Sequence, residues 1–449
     1  MPSSPRPRRA ARKTARRRVL RRTGVKRRAA SRRTAHRVPI PARTPRLVPH
    51  RPRPASSADP RAGRLNILMV GWEYPPFHTG GLGVHSYEIS REITRLGHRL
   101  IFATPFDRPY SETPGVEFIS EGLSPFTGEP PGSAAYEVGD FYGEGMRAFI
   151  DRYNDWIGQL APALGHIDVV HVHDWFGTVG AGALARRMGV PLVMTVHSTE
   201  LDRSLGHPHG PIYEREWIGV HAAERIIAVS RHLADQLVRD YGADRDRIRV
   251  VYNAVRDAGA LPRGERAGDI VLFLGRLTAM KAPDVFVRAA ARIAPSFPEV
   301  QFAIAGEGPE YEHLVRLAVS LGIGDRVLFL GKVTDQERSA LLRDAAVFVL
   351  PSVTEPFGIA ALEAMAAGVP TIVSKTSGVA EVVSSVFQVD FWDVDEFASR
   401  MAELLEYPPL RAEMGDRGRH EATLEGWPER ARQTIAVYRE AIQAKRGSA

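Results

Sequence analysis

Two glutamates eight positions apart, Glu355 and Glu363, bracket the run Glu355-Pro356-Phe357-Gly358-Ile359-Ala360-Ala361-Leu362-Glu363. The first follows the apolar stretch Val347 to Leu350 in a short loop; the second rides the helix that opens from that loop; Gly368 and Pro370 close the unit. A helix N-terminus presents backbone N–H groups that lack intrahelical partners and suit an anion or an oxygen-rich ligand. Carboxylates for hydroxyls and backbone for phosphate together suggest a sugar nucleotide. Upstream, Gly275-Arg276-Leu277-Thr278-Ala279-Met280-Lys281 follows another apolar run and sets two cations five residues apart. Arginine can grip a diphosphate bidentately and lysine as a point charge. The plain alternative is a solvated basic turn, and the position after a strand favours the clamp.

Further sites carry less information alone. His78-Thr79-Gly80-Gly81-Leu82-Gly83 follows the first apolar run, and its glycines Gly80, Gly81 and Gly83 would let the backbone approach a phosphate. A flexible turn is the plain reading, and the dinucleotide fingerprint is absent. In His171-Val172-His173-Asp174-Trp175 the two histidines share one face of a strand, yet no third ligand is suggested nearby and no metal is assigned. Asp174 and Trp175 would line a crevice that suits a sugar ring. His197, at the end of Thr195-Val196-His197, could donate to a substrate hydroxyl, although a lone strand-end histidine is more often structural. Gly306, in Gly306-Glu307-Gly308-Pro309, would border the site, and Asp393-Val394-Asp395 reads as a helix cap rather than a metal pair.

The elements that must position these residues alternate strand and helix. Strands are expected at 65–70, 99–103, 168–172, 192–196 and 225–229, with a short one at 249–251. After a Gly/Ala/Pro-containing stretch at 255–269 the alternation restarts, with strands at 270–274, 301–305, 326–330, 347–350 and 371–373. Helices expected between them include 84–96, 177–188, 230–241, 283–294, 310–320 and 335–343, with a last one at 428–444. This is the pattern of two doubly wound α/β domains, residues 65–255 and 268–425, with the last helix packing back on the first domain. A ligand is expected at the carboxyl ends of the strands, between the domains.

Charge is distributed unevenly. Residues 1–60 hold 20 of the 60 Lys+Arg and one of the 52 Asp+Glu, so the remaining chain is acidic although the whole carries +8. The Arg/Pro-rich segment 1–62 has few apolar residues and is expected to be disordered. It reads in three ways: a binder of nucleic acid or an anionic surface, a transit peptide, or an over-called translation start. The chain has no cysteine, which excludes disulfides and thiolate chemistry and fits a reducing compartment; a cytoplasmic location is expected. No apolar run approaches the ~18 residues of a membrane span.

In this order the motifs resemble those of the retaining glycosyltransferases of family 4, which have the two-domain GT-B fold. The resemblance covers about Leu65 to Tyr438. The T-G-G-L-G loop and H-V-H-D-W are similar to glycogen and starch synthases. The resemblance implies that Arg276 and Lys281 hold the donor diphosphate, Glu363 the ribose hydroxyls and Glu355 the donor sugar. It implies backbone contacts from Phe357 and Gly358, His197 near the reacting face of the sugar, Asp174 facing sugar or acceptor, and Val333 near the base. It further implies retaining, metal-independent transfer of a hexose, with glucose from ADP- or UDP-glucose the leading expectation, to a glycan acceptor, with no cofactor. A small sugar, a lipid or a surface-polysaccharide precursor is the alternative acceptor. Three positions depart from the glucan synthases: His78 where lysine is common, Val84 where aspartate is common, and Ala282 where glycine follows the clamp lysine.

Overall fold

The computed structural model describes residues 63–76, 80–106, 113–123, 144–255 and 270–447. His78 and Thr79, the segment 1–62 and most of the 255–269 stretch lie outside these described residues.

The first lobe is a seven-stranded parallel sheet. In chain order it runs β1 (Asn66–Val70), α1 (Gly81–Arg95), β2 (Arg99–Phe106), β3 (Val116–Leu123), α2 (Glu144–Gly158), α3 (Ala161–Leu164), β4 (Val169–His173), α4 (Thr178–Met188), β5 (Leu192–Val196), α5 (Glu200–Arg203), α6 (Gly210–Ala222), β6 (Arg225–Ala228), α7 (Arg231–Tyr241) and β7 (Ile248–Val250). The strand order is β3-β2-β1-β4-β5-β6-β7. The second lobe has six parallel strands ordered β10-β9-β8-β11-β12-β13. It comprises β8 (Ile270–Leu274), α8 (Pro283–Ile293), β9 (Gln301–Ala305), α9 (Tyr311–Ser320), β10 (Val327–Gly331), α10 (Asp335–Asp344), β11 (Ala345–Leu350), α11 (Ile359–Ala366), β12 (Thr371–Ser374), β13 (Phe387–Val389), α12 (Val394–Glu406) and α13 (Pro408–Thr423). The chain ends on α14 (Trp427–Gly447).

Central strands buried on both faces read as continuous apolar runs, and β4, β5 and β11 are buried along their whole length. In each sheet the strand order reverses once, between β1 and β4 and between β8 and β11. Doubly wound sheets bind ligands beyond the carboxyl ends of strands at such a reversal, and Gly80, Asp174, Arg276, Lys281 and Glu355 sit on those loops.

Helix α14 packs on the first lobe. Trp427, Ile435 and Tyr438 share a buried cluster with Ile67, Met69 and Ile89, and the Tyr438 hydroxyl lies 2.7 Å from His171 Nδ1. The two lobes are also joined at the start of α7. Ser230 caps that helix through the Leu233 amide, and Glu381 of the second lobe accepts from the Arg231 and His232 amides at 2.7 and 2.8 Å. A carboxylate at a helix N-terminus meets both unsatisfied amides and the positive end of the dipole.

Differences from the expected elements are local. Helix α1 begins at Gly81, three residues before the expected Val84, so Gly81 and Gly83 lie in its first turn rather than in a loop. Strands β3 and β13 and helices α2, α3, α5, α6 and α13 have no counterpart in the sequence reading. Asp393 does cap α12, accepting from the Glu396 amide at 2.9 Å, and Asp395 pairs with Arg292.

Candidate active site

The loop after β8 carries the cations. Arg276 is open to water, yet a side chain can be wetted by a narrow cleft and still be surrounded by protein. Desolvation lowers its pKa from the ordinary arginine value; Glu73 raises it, Arg203 lowers it and Glu355 raises it again. These three neighbours follow β1, close α5 and follow β11, the first two in one lobe and the last in the other, so Arg276 stands where the lobes meet. Among the described residues it has no ion-pair partner. Lys281, on a short 3-10 turn, pairs with Glu355, which also accepts from Ser352 Oγ at 3.1 Å.

The loop is braced by Gly306. Its φ is 147°, and a Cβ there would lie 1.8 Å from the Gly275 carbonyl oxygen. Gly306 therefore supports the backbone of the loop after β8. Ala282, where the resembled enzymes have glycine, keeps a left-handed φ of 46°. Alanine adopts that conformation at a cost of about 1 kcal/mol.

Around α11 the glutamates divide as the loop and helix dictate. Glu355 is 6% exposed beyond the end of β11. Gly358, with φ 100°, is the N-cap of α11. The Phe357 ring is core, 3% exposed, so only its backbone can meet a ligand. Glu363 forms an ion pair with Arg338 at 3.3 Å. Val333 lies half-buried just past β10.

On the first lobe, Gly80 precedes α1 with open space where a Cβ would be, and Gly81 approaches Ile359 of the other lobe. Gly83 is buried and its amide donates to Glu73 at 3.2 Å, so that N–H is already committed. Glu73, 3% exposed, is a cleft carboxylate that no motif announced.

Asp174 follows β4 with a positive φ of 51°, uncommon for a non-glycine residue, and its Oδ1 accepts from the His197 amide at 2.7 Å. It thus fixes the backbone at the end of β5. His197 Nε2 lies 3.1 Å from His173 Nδ1. The fold adds His85 from α1, and one nitrogen from each of His85, His173 and His197 falls within 4.8 Å of the others. The third imidazole that the sequence did not reveal is thus delivered by α1. His173 Nδ1 meets His197 and His85 Nδ1 meets Asn253 Oδ1 at 2.7 Å, whereas His173 Nε2 is buried with no partner. Burial lowers the pKa of His85 to about 4 and holds His173 and His197 well below the ordinary value, with neighbouring histidines adding to the shift of the latter two. His197 is therefore a neutral imidazole near pH 7, able to donate or accept one hydrogen bond but not to supply a charge.

Burial raises the pKa of Asp174 to about 7, against the pull of the His197 amide and Arg203. An acid whose folded pKa exceeds its unfolded one binds more protons when folded, so stability falls as pH rises from about 4 to 7. Asp174→Asn keeps the acceptor oxygen and removes the charge. Its melting temperature should match wild type near pH 3.5, below the unfolded pKa, and exceed it at pH 8 in a thermal-shift series; a gap that stays constant across pH would refute the assignment.

With the geometry in place, the relatives become informative. Residues 79–258 match glycosyltransferase family 4, and residues 264–421 match glycosyl transferases group 1. The chain is 32% identical to a D-inositol 3-phosphate glycosyltransferase of Acidothermus cellulolyticus, over 89% of this chain and 95% of that protein. The chain belongs to the family 4 glycosyltransferases. This glycosyltransferase is also 30% identical to a glycogen synthase of Mycobacterium tuberculosis, over 85% of this chain and 96% of the relative. Its fold is shared with the catalytic domain of starch synthase IV from Arabidopsis thaliana, solved with ADP and acarbose, at a TM-score of 0.65 and 14% identity, over 85% of this chain and all of that one. The expected GT-B architecture is thus observed in this glycosyltransferase, and no described helix is long and apolar enough to cross a membrane.

Proposed function

We propose that this glycosyltransferase moves a hexose, glucose in the leading reading, from an ADP- or UDP-sugar to a glycan acceptor with retention at the anomeric carbon. The observation that carries the reading is Arg276: a cation without an ion-pair partner among the described residues, standing where the lobes meet, beside the Lys281–Glu355 pair. A diphosphate is the ligand that such an arrangement suits. Retention by double displacement needs a carboxylate nucleophile beneath the sugar. Glu355 is held by Lys281 and Ser352, and Asp174 by the His197 amide. Both engagements favour front-face transfer, in which the departing phosphate takes the acceptor proton as the new glycosidic bond forms and the bond from C1 to the phosphate oxygen breaks. Arg276, Lys281 and the N-terminus of α11 then stabilise negative charge on the leaving diphosphate, a task that needs no divalent cation.

A screen of ADP-, UDP- and GDP-sugars with glycogen, read by nucleotide release in the presence of EDTA, tests the reading. Release should occur with one donor, and NMR should show an α-glycoside from an α-donor. An inverted product, loss of activity on chelation, or no release from any donor would overturn the corresponding part. A relative named for inositol 3-phosphate at similar identity makes a small acceptor the second reading; short acceptors run beside glycogen separate the two.

A further inference from the structure

Three imidazoles converge in the first lobe from three separate elements. His85 comes from α1, His173 ends β4 and His197 follows β5, and one ring nitrogen from each lies within 4.8 Å of the other two. His85 and His173 are buried and His197 is half-buried, so the cluster opens on the His197 side. The Trp427 ring packs against His85 at a steep angle, with centroids 5.4 Å apart.

The neighbours of these rings leave lone pairs free. The side-chain oxygen of Asn253 can only accept, so His85 carries its proton on Nδ1, 2.7 Å away, and Nε2 keeps its lone pair. Metal-bound histidines are commonly held in this way, with the other ring nitrogen donating to an outer oxygen. His173 Nδ1 and His197 Nε2 stand 3.1 Å apart. Two nitrogens bound at about 2.0–2.1 Å to one tetrahedral ion are roughly 3.3 Å apart, so the spacing of this pair already suits a shared cation. His173 is also short of partners: Nδ1 meets another imidazole, and Nε2 is buried and meets nothing. His171, on the same strand, is the contrast. Its Nε2 lies 2.7 Å from Thr195 Oγ1 and its Nδ1 2.7 Å from the Tyr438 hydroxyl, so both nitrogens are engaged by protein. Burial of an unengaged ring nitrogen is costly unless a ligand meets it, and of the two β4 histidines it is the one in the cluster that is left so.

We propose that His85, His173 and His197 bind one transition-metal dication, Zn2+ best suited among them, with water in a fourth position on the open side. Three imidazoles favour zinc, cobalt or nickel over magnesium and calcium, which take oxygen ligands. The ion ties α1 to the ends of β4 and β5 and stabilises the lobe. Charge on the diphosphate stays with Arg276 and Lys281, so transfer persists in EDTA.

The test uses the full chain, stripped with EDTA and desalted, titrated with Co2+ and then Zn2+ near neutral pH without donor or acceptor, so its outcome is independent of the transfer reading. Wild type should take up one equivalent of Co2+ with the intense visible absorption of a four-coordinate site, release it to Zn2+, and melt at a higher temperature with either ion bound. Mg2+ and Ca2+ should change neither readout. Asn253→Ala, which removes only the outer partner of His85, should weaken Co2+ binding by about 10- to 100-fold. His85→Gln and His197→Gln should weaken it further, while His207→Ala and His232→Ala, at exposed positions, should bind as wild type. Where His85→Gln fails to fold, the half-buried His197→Gln decides by the same readouts. No saturable uptake by wild type, or undiminished uptake in the ligand variants, overturns the site. Loss in His207→Ala or His232→Ala alone would put the ion on the surface and overturn it as well.

Discussion

Alanine at Arg276 should lower turnover of the donor by about 100-fold or more, with most of the loss in kcat. The direction follows from where charge develops. In the ground state the donor diphosphate already carries its negative charge, and an exposed cation near it contributes modestly to binding. As the sugar departs, one more charge accumulates on the terminal phosphate, and an interaction that strengthens only then acts on the barrier. Arg276 meets this requirement because no described residue pairs with it before the donor arrives, so no such ion pair must break. Lys281 differs: it is held by Glu355. Lys281→Ala removes a cation and frees a carboxylate to face the phosphates, so its loss should exceed that of Arg276→Ala. Lys281→Ala combined with Glu355→Gln should regain part of it, because the released negative charge is gone. Steady-state kinetics over donor concentration check the order, and near-wild-type turnover in both single variants would remove the clamp from the mechanism.

The juxtaposition of Arg276 and Lys281 was legible because the two are close in sequence and follow an apolar run that allows one reading. Strands 192–196, 270–274 and 301–305 have the expected bounds for the same reason: each is a short, largely apolar stretch. Where the sequence failed, burial was carried by polar residues. Helices α5 and α6 bury Glu200, Asp202 and Glu216, so their stretch of charge reads as a solvated loop. Strand β3, with Glu117, Ser120 and Glu121 among its residues, lacks the run that marked its neighbours. Helix α13 begins with two prolines and carries Gly415 and Gly418, which dilute a helical pattern. The histidine array was invisible for another reason: His85, His173 and His197 are brought together by three separate elements, and no spacing records that.

The buried charges of α5 and α6 lead to the second large effect, which concerns stability. Arg203 is 21% exposed in its side chain and binds both Glu216 and, at 3.2 Å, Glu200. It also donates to the Ser198 carbonyl and hydroxyl at 3.2 and 2.9 Å. Glu216 additionally accepts from the Tyr241 hydroxyl and the Glu200 amide. One guanidinium thus ties α5 and α6 to the end of β5, beside His197. Arg203→Met leaves two nearly inaccessible carboxylates without their cation and should cost about 3–5 kcal/mol in denaturant unfolding. Arg203→Lys should cost less, since it keeps the charge and loses the fork. Adding Glu216→Gln to Arg203→Met should recover part of the loss, because a buried neutral amide is cheaper to desolvate than an unpaired carboxylate. A packing role alone would make the two losses additive, and an unchanged unfolding midpoint in Arg203→Met would show that the network contributes nothing. Because Asp202 sits on the same short helix, the variant should also loosen the Thr354–Asp202 contact between the lobes.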